Sequence, residues 1–190
     1  MQEWISAGSS EPRTVRSARS PALQALSALV FAACLLPLAR LFLLGWRDAL
    51  GANPVEFVSR STGTWTLVML CLTLSVTPLR RLSGWNGVIR LRRMLGLFAF
   101  FYGCLHLMSY VWFDQWFDGM AMVVDLLERP FIAAGFAAWV LMLPLALTSN
   151  AAMIRRLGRR WAELHRAVYA VALLGVLHYW WHKAGKNDLT

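Results

Sequence analysis

Five long apolar segments divide this sequence of 190 residues and limit what it can fold into more than any other feature. A helix needs about 20 apolar residues to cross a bilayer, and only helices and closed barrels satisfy their backbone hydrogen bonds there. Hydrophobic residues make up 58% of the chain, a fraction too high for a water-soluble domain. We therefore predict an all-α integral membrane bundle with five transmembrane helices, which are 22–44, 64–79, 94–113, 130–147 and 161–182.

The segments outside this bundle are short and polar. Residues 1–20 are rich in Ser and Arg and are predicted to be a disordered cytoplasmic N-terminus. Residues 21–183 form one predicted transmembrane domain, and 184–190 a short polar tail. The first apolar run continues for ten residues past Cys34, which argues against a cleaved signal peptide. The three cysteines lie in different apolar runs without metal-ligand spacing, so we expect free thiols.

Arginines account for most of the net charge of +9, and their distribution predicts the orientation of the chain. Basic residues concentrate in cytoplasmic loops of membrane proteins. The loops after the second and fourth spans hold nine arginines between them, so we predict a cytoplasmic N-terminus. This clustering at the ends of apolar runs also argues against a nucleic-acid-binding surface. The nine are Arg80, Arg81, Arg90, Arg92, Arg93, Arg155, Arg156, Arg159 and Arg160.

Histidines are the chemically informative residues, because an ionisable side chain within a membrane span is costly and marks a functional site by default. His106 lies thirteen residues beyond Arg93, and His178 lies thirteen residues beyond His165. At 1.5 Å per residue, His106 lies about 20 Å deeper than Arg93, and His178 lies about 20 Å deeper than His165, which is itself close to the basic boundary. His106 and His178 are therefore predicted at matching outer depth on two helices. Such a pair suits the axial positions of haem b, so we predict a cytochrome b.

The inner level is less symmetrical, and two interpretations of His165 remain open there. On the third span, the position that would face His165 is Arg92, which does not ligate iron but suits a haem propionate, a flavin phosphate or a lipid headgroup. His165 is a ligand to a second haem or part of the site that receives electrons from quinol or flavin. Arg92 and Arg93 would neutralise anionic groups near that site. His182 is interpreted as an interfacial residue.

The loop between the third and fourth spans is acidic, with Asp114, Asp118, Asp125 and Glu128 against Arg129 alone. It is either a docking face for a partner protein or a solvated loop. Nothing in its sequence separates the two interpretations.

Ten short motifs, taken in order, make the sequence resemble the MsrQ (YedZ) family within the ferric-reductase-like transmembrane group. They cover residues from about 40 to 182, and their order makes the resemblance specific. The motifs are Asn53-Pro-Val-Glu-Phe57, Thr62-Gly-Thr-Trp65, Thr77-Pro-Leu-Arg-Arg81, Arg92-Arg-Met-Leu-Gly96, Leu105-His-Leu107, Arg129-Pro130, Leu145-Ala-Leu-Thr-Ser149, Arg156-Leu-Gly-Arg-Arg-Trp161, Leu164-His165 and His178-Tyr179.

The resemblance implies a haem-binding subunit of a bacterial inner-membrane system that repairs methionine sulfoxide in periplasmic proteins. Electrons would come from the quinone pool or a flavin reductase and pass through haem to a periplasmic molybdopterin-containing methionine sulfoxide reductase of the MsrP type. The chain would be the electron-transfer subunit rather than the catalytic one. The family's haem-associated histidines correspond to His106, His165 and His178, and the resemblance also implies FMN, at an unassigned position.

Other interpretations predict different chemistry. Family members usually have a sixth helix after the equivalent of His178, so we expect a truncated or five-span form. A non-redox transporter or assembly protein with structural histidines is the rival from another class. A ferric-reductase-like cytochrome with another acceptor is the rival within the class, although its usual cytoplasmic flavin and nicotinamide domain has no counterpart in this sequence.

Overall fold

The computed structural model describes residues 21–185, which form helices and connecting turns without a β-strand among them. The predicted disordered segment 1–20 lies outside the described residues, as does most of the predicted tail 184–190. A 3-10 turn, Asn86–Val88, precedes the third helix, and a π-helical turn, Tyr110–Asp114, follows it. The helices are α1 (Pro21–Trp46), α2 (Pro54–Ser83), α3 (Ile89–Ser109), α4 (Gly119–Glu128), α5 (Pro130–Leu147), α6 (Ala151–Leu157), α7 (Arg159–His165) and α8 (Ala167–Gly185).

Four helical stretches in the described part of the chain are long and apolar enough to cross a membrane. The predicted all-α integral membrane bundle is thereby confirmed. The fourth predicted span coincides with α5, because Pro130 suits the first turn of a helix. The four stretches are Pro21–Trp46, Pro54–Ser83, Asn86–Asp114 and Pro130–Leu147.

The fifth predicted span, 161–182, is not one continuous helix. The helix α7 ends at His165, and Arg166 separates it from α8. At the junction the hydrogen bonds span three residues instead of the four of an α-helix. The Arg166 N–H donates to Glu163 O, and the Tyr169 N–H donates to Arg166 O. The helix α8 is not one of the four stretches in the described part of the chain that are long and apolar enough to cross a membrane. Membrane crossing by α8 therefore remains a prediction.

The second predicted span, 64–79, is the central part of a longer helix, because α2 is a single helix of 30 residues that already begins at Pro54. The side chain of Asn53 accepts a hydrogen bond from the Glu56 N–H at 3.2 Å, and Pro54 follows at the first helical position. The Asn-Pro pair therefore starts the helix rather than forming a free turn. The helix ends at Gly84, whose φ of 68° is left-handed and whose N–H donates to Arg80 O.

Two helix pairs carry most of the packing: α2 with α3, and α5 with α8. The loop between α2 and α3 is so short that the two helices run antiparallel, and α3 also packs on α5, which joins the pairs. Ala99 and Tyr102 of α3 are fully buried at the centre, together with Val171 of α8. The Tyr102 hydroxyl donates to the backbone carbonyl of Cys34 at 2.7 Å and thereby ties α3 to α1.

The cysteines are free thiols, as predicted. Cys34 is buried and its Sγ lies 3.8 Å from Met69 Sδ, Cys71 is exposed on the bundle surface, and Cys104 is half-buried. None is bonded to another.

The hydrogen bond between α3 and α1 gives a first prediction. Tyr102→Phe removes the hydroxyl group that donates a hydrogen bond to the Cys34 carbonyl. A typical buried hydrogen bond contributes about 1 kcal/mol to stability. We expect the free energy of unfolding in detergent to fall by about that amount. Tyr169→Phe is the control, because Tyr169 is 64% exposed and should leave stability unchanged. Equal unfolding midpoints for the two variants would contradict the assignment.

Candidate functional site

His106 of α3 lies against the backbone of α2. Its Nδ1 is 3.0 Å from the carbonyl oxygen of Ser59. One turn further along α2 is Gly63, where an added Cβ would lie 3.1 Å from His106 Cε1 and 3.2 Å from Nδ1. The imidazole ring therefore occupies space that exists because residue 63 has no side chain.

His178 of α8 lies against α5 in the same manner. Its Nδ1 is 2.7 Å from the carbonyl oxygen of Phe131. One turn further along α5 is Gly135, where an added Cβ would lie 2.7 Å from His178 Nδ1. In both helix pairs 47 residues separate the histidine from its carbonyl partner. The two pairs thus present their histidines through the same backbone arrangement.

The two imidazole rings face each other across the bundle. Their centres are 6.0 Å apart and their planes are inclined by 68°. A backbone carbonyl can only accept, so each Nδ1 carries the proton and each Nε2 keeps its lone pair. Metal–imidazole bonds are about 2 Å long and a ring centre lies about 1 Å from its nitrogen, so one metal ion between two such rings separates their centres by about 6 Å. The observed separation fits.

The number of ligands restricts the kind of metal group. No cluster of three or more His, Cys, Asp or Glu side chains that could hold a metal ion exists within residues 21–185. A protein-bound zinc ion needs three or four protein ligands. Two imidazoles instead fit a metal that brings its other ligands with it, as the iron of a porphyrin does. The donor set of His106 and His178 therefore fits a haem better than a bare ion.

Phe131 lies beside the histidine pair. The ring centre of Phe131 is 6.1 Å from that of His178 and 5.7 Å from that of His182. His182 is half-buried, one turn beyond His178 on α8.

Trp139 is a candidate residue that the sequence did not single out. Its Nε1 is buried and has no hydrogen-bond partner, the single such side-chain atom among the described residues. The indole stacks against Phe100 and Phe136 and lies one turn along α5 from Gly135. A buried N–H without an acceptor costs about 1–3 kcal/mol, so this donor fits a bound group that carries an oxygen acceptor. The sequence carried no signal for it, because burial of the indole N–H depends on how the helices pack.

The structure does not bring His165 to this pair. His165 ends α7, where its ring stacks on that of Trp161 with centres 3.9 Å apart. Its Nδ1 is 3.0 Å from the Trp161 carbonyl, and its Nε2 is 3.4 Å from Ser149 Oγ. The indole N–H of Trp161 donates to the Thr148 carbonyl, which joins α7 to the end of α5. His165 thus belongs to a separate cluster at the basic end of the bundle.

Arg92 and Arg93 lie at the same basic end but contact different surroundings. Arg92 is half-buried, and its Nη1 donates to Thr77 Oγ1 of α2 at 3.3 Å. Arg93 is exposed and lines, with Arg90, a cavity of about 820 Å³ between α1 and the start of α3. The remaining lining residues are Leu23, Gln24, Ser27 and Ile89.

At the opposite end, two of the acidic side chains between α3 and α5 have structural roles. Asp118 caps α4 by accepting from the Met120 and Ala121 N–H groups. The Asp125 carboxylate accepts from Tyr110 Oη at 3.1 Å, from Gln115 Nε2 at 2.6 Å and from Arg129 Nε at 3.3 Å. The Asp125 carboxylate is therefore already bound by neighbouring donors, whereas Glu128 is exposed.

Comparison with known proteins places these helices in a described family. The family "Ferric reductase like transmembrane component" matches residues 62–176, a range that includes His106 and His165 and ends two residues before His178. No solved structure gives a significant match.

Curated relatives match a longer part of the chain than the family model does. Three of them carry the name "Protein-methionine-sulfoxide reductase heme-binding subunit MsrQ". The protein from Herminiimonas arsenicoxydans is 59% identical over 169 residues, which are 88% of this chain and 78% of the relative. The protein from Bordetella pertussis is 60% identical over 168 residues, 88% of this chain and 82% of the relative. The protein from Ralstonia nicotianae is 60% identical over 167 residues, which are 87% of this chain and 77% of the relative.

The contacts of Asp125 give a second prediction. Asp125→Ala leaves three donors without their acceptor, so we expect it to destabilise the protein by about 1–3 kcal/mol. Glu128→Ala, on the exposed side of the same helix, should change the free energy of unfolding by less than about 0.5 kcal/mol. Thermal unfolding of both variants in detergent measures the difference. Equal effects would mean that the Asp125 network contributes little to stability.

Proposed function

Because this chain belongs to the MsrQ family of heme-binding subunits of protein-methionine-sulfoxide reductases, we propose that it is a b-type cytochrome that transfers electrons through haem in the membrane. The observation that carries the proposal is the approach of His106 and His178, whose ring centres are 6.0 Å apart on different helices. Family membership supplies the cofactor, and this pair supplies two ligands of the right kind.

In this proposal His106 and His178 would hold the haem iron, each through its Nε2. Bound haem supplies a carrier that accepts and releases one electron. With two histidines as its ligands, a bound haem would carry out electron transfer rather than oxygen chemistry.

The backbone of α2 and α5 prepares the two ligands. The carbonyls of Ser59 and Phe131 hold a proton at Nδ1 of each ring, which keeps Nε2 free of one. An acceptor at the far nitrogen also makes an imidazole a stronger ligand and restrains the rotation of its ring. The indole N–H of Trp139 is available to an oxygen atom of the bound group.

Electrons are proposed to arrive at the basic end of the bundle, from quinol or through FMN. His165 is assigned to this input side rather than to a second haem, because its ring is stacked on Trp161 and its Nε2, the nitrogen that would bind iron, lies 3.4 Å from Ser149 Oγ. Arg92 and Arg93 supply positive charge for the anionic groups of the donor or cofactor. Their separate surroundings give Arg93 the more accessible guanidinium.

Electrons are proposed to leave at the opposite end, toward a periplasmic molybdopterin-containing methionine sulfoxide reductase of the MsrP type. The nine arginines at the basic end support an orientation with that end in the cytoplasm of a bacterial inner membrane. On the outer side, α4 presents Glu128 with exposed apolar side chains such as Met120 and Leu127. The chain is then the electron-transfer subunit, and the partner carries out the reduction.

Replacing either proposed ligand tests the haem site. We expect His106→Ala and His178→Ala each to lower haem affinity by more than about tenfold, the effect of losing even an indirect metal contact. Haem per polypeptide and the Soret band of the purified protein provide the measurement. His182→Ala is the matched control, because His182 lies on the same helix beside Phe131 and should leave the spectrum nearly intact.

The same spectra separate the rival functions. A wild-type protein without a Soret band would support a transporter or assembly protein with structural histidines. A haem protein that the methionine sulfoxide reductase subunit does not oxidise would be a ferric-reductase-like cytochrome with another acceptor.

His165→Ala distinguishes the input side from a second haem site. If His165 receives electrons, we expect the variant to keep wild-type haem content while its haem is reduced more slowly by quinol or reduced flavin. A loss of half the haem per polypeptide would instead identify His165 as a ligand. Rapid-mixing absorbance at the Soret band, together with haem quantification, records both properties in one preparation.

A further inference from the structure

Two helical glycines hold corresponding positions beside the two histidines that face each other. We propose that Gly63 and Gly135 are positioning residues that set the orientation of His106 and His178. The inference rests on the haem function proposed above, and it concerns how this chain shapes its ligands rather than which residues they are.

The contact at Gly63 covers the face of the His106 ring. An added Cβ would lie 3.1 Å from Cε1, 3.2 Å from Nδ1 and 3.4 Å from Nε2. Three ring atoms at nearly equal distances mean that the ring lies flat over the glycine. These separations are tighter than those that Cβ atoms normally adopt, so a side chain at position 63 would push the ring away.

The contact at Gly135 is closer still. An added Cβ would lie 2.7 Å from His178 Nδ1, 2.9 Å from Cε1 and 3.1 Å from Cγ. Distances under 3.0 Å require something to shift, and the nearest ring atom is the one bound to the Phe131 carbonyl at 2.7 Å. A side chain at position 135 would therefore break that hydrogen bond as it displaced the ring.

The glycine and the carbonyl act together in each helix. A helical carbonyl points toward the residue four positions later, which is Gly63 for Ser59 and Gly135 for Phe131. An imidazole that reaches the carbonyl from outside the helix must pass over that later residue. Only glycine, which has no Cβ, leaves the path open.

Two other glycines on the facing helices make matched controls. Gly103 and Gly175 stand three residues before His106 and His178, respectively. An added Cβ would lie 3.6 Å from Thr66 Cγ2 at position 103 and 3.8 Å from Leu67 Cδ1 at position 175, which are ordinary contact distances. Alanine should fit at both. Tight contacts therefore distinguish Gly63 and Gly135, which touch the rings, from these two control positions.

The experiment compares Gly63→Ala, Gly135→Ala, Gly103→Ala and Gly175→Ala in the full-length protein. We expect Gly135→Ala to bind haem at least about tenfold more weakly, because losing a hydrogen bond that orients a metal ligand has an effect of this size. Gly63→Ala should retain haem but change the g-values of the low-spin ferric haem and its midpoint potential, because ring orientation and the Nδ1 bond both alter. The two control variants should match wild type in affinity, g-values and potential.

The outcomes are separable from those of the haem proposal. Wild-type g-values and potential in Gly63→Ala would overturn the inference, as would controls that change as much as the ring-contact variants. If Gly135→Ala loses its helical circular dichroism, Gly63→Ala decides, because its milder contact allows the ring to move by a few tenths of an ångström. Absence of haem from wild type, or its retention in His106→Ala and His178→Ala, would instead refute the proposed function.

Discussion

The hydrogen bonds from the histidine rings to backbone carbonyls are the interactions on which the candidate site depends. Within a membrane no water is available to satisfy a ring N–H, so each imidazole must find an acceptor in the protein. His106 finds Ser59 O, and His178 finds Phe131 O. Each bond fixes where the proton sits and leaves the other nitrogen with its lone pair. The same bond joins two helices, so the chemistry of the site and the packing of the bundle have one origin.

That bond also explains why the bundle is organised as two similar helix pairs. The pair α2 and α3 and the pair α5 and α8 each place a histidine of the later helix over a glycine of the earlier one. Packing of α3 on α5 then brings the two rings to 6.0 Å. Small residues favour close helix contacts in membranes, where apolar burial gives no net attraction between helices. In this chain they also set the distance at which two side chains meet.

The two ends of the bundle divide the proposed electron path. The basic end carries a compact cluster of His165, Trp161 and Ser149, together with the accessible charge of Arg93. The other end carries a loop whose Asp125 is occupied by its own neighbours. The carboxylates of Asp118 and Asp125 therefore stabilise the loop itself, so fewer acidic side chains are available to bind a partner than the sequence indicated.

The sequence by itself determined the all-α membrane architecture, the bounds of α5 and the pairing of His106 with His178, because hydropathy and depth along a helix depend only on residue order. Tertiary structure alone decided the contacts of Gly63, Gly135 and Trp139. Those contacts depend on how far each helix is rotated about its axis, which neighbouring helices set. The sequence also did not reveal the break between α7 and α8 at Arg166 or the continuity of α2. Helix caps and tightened turns change the backbone without changing hydropathy.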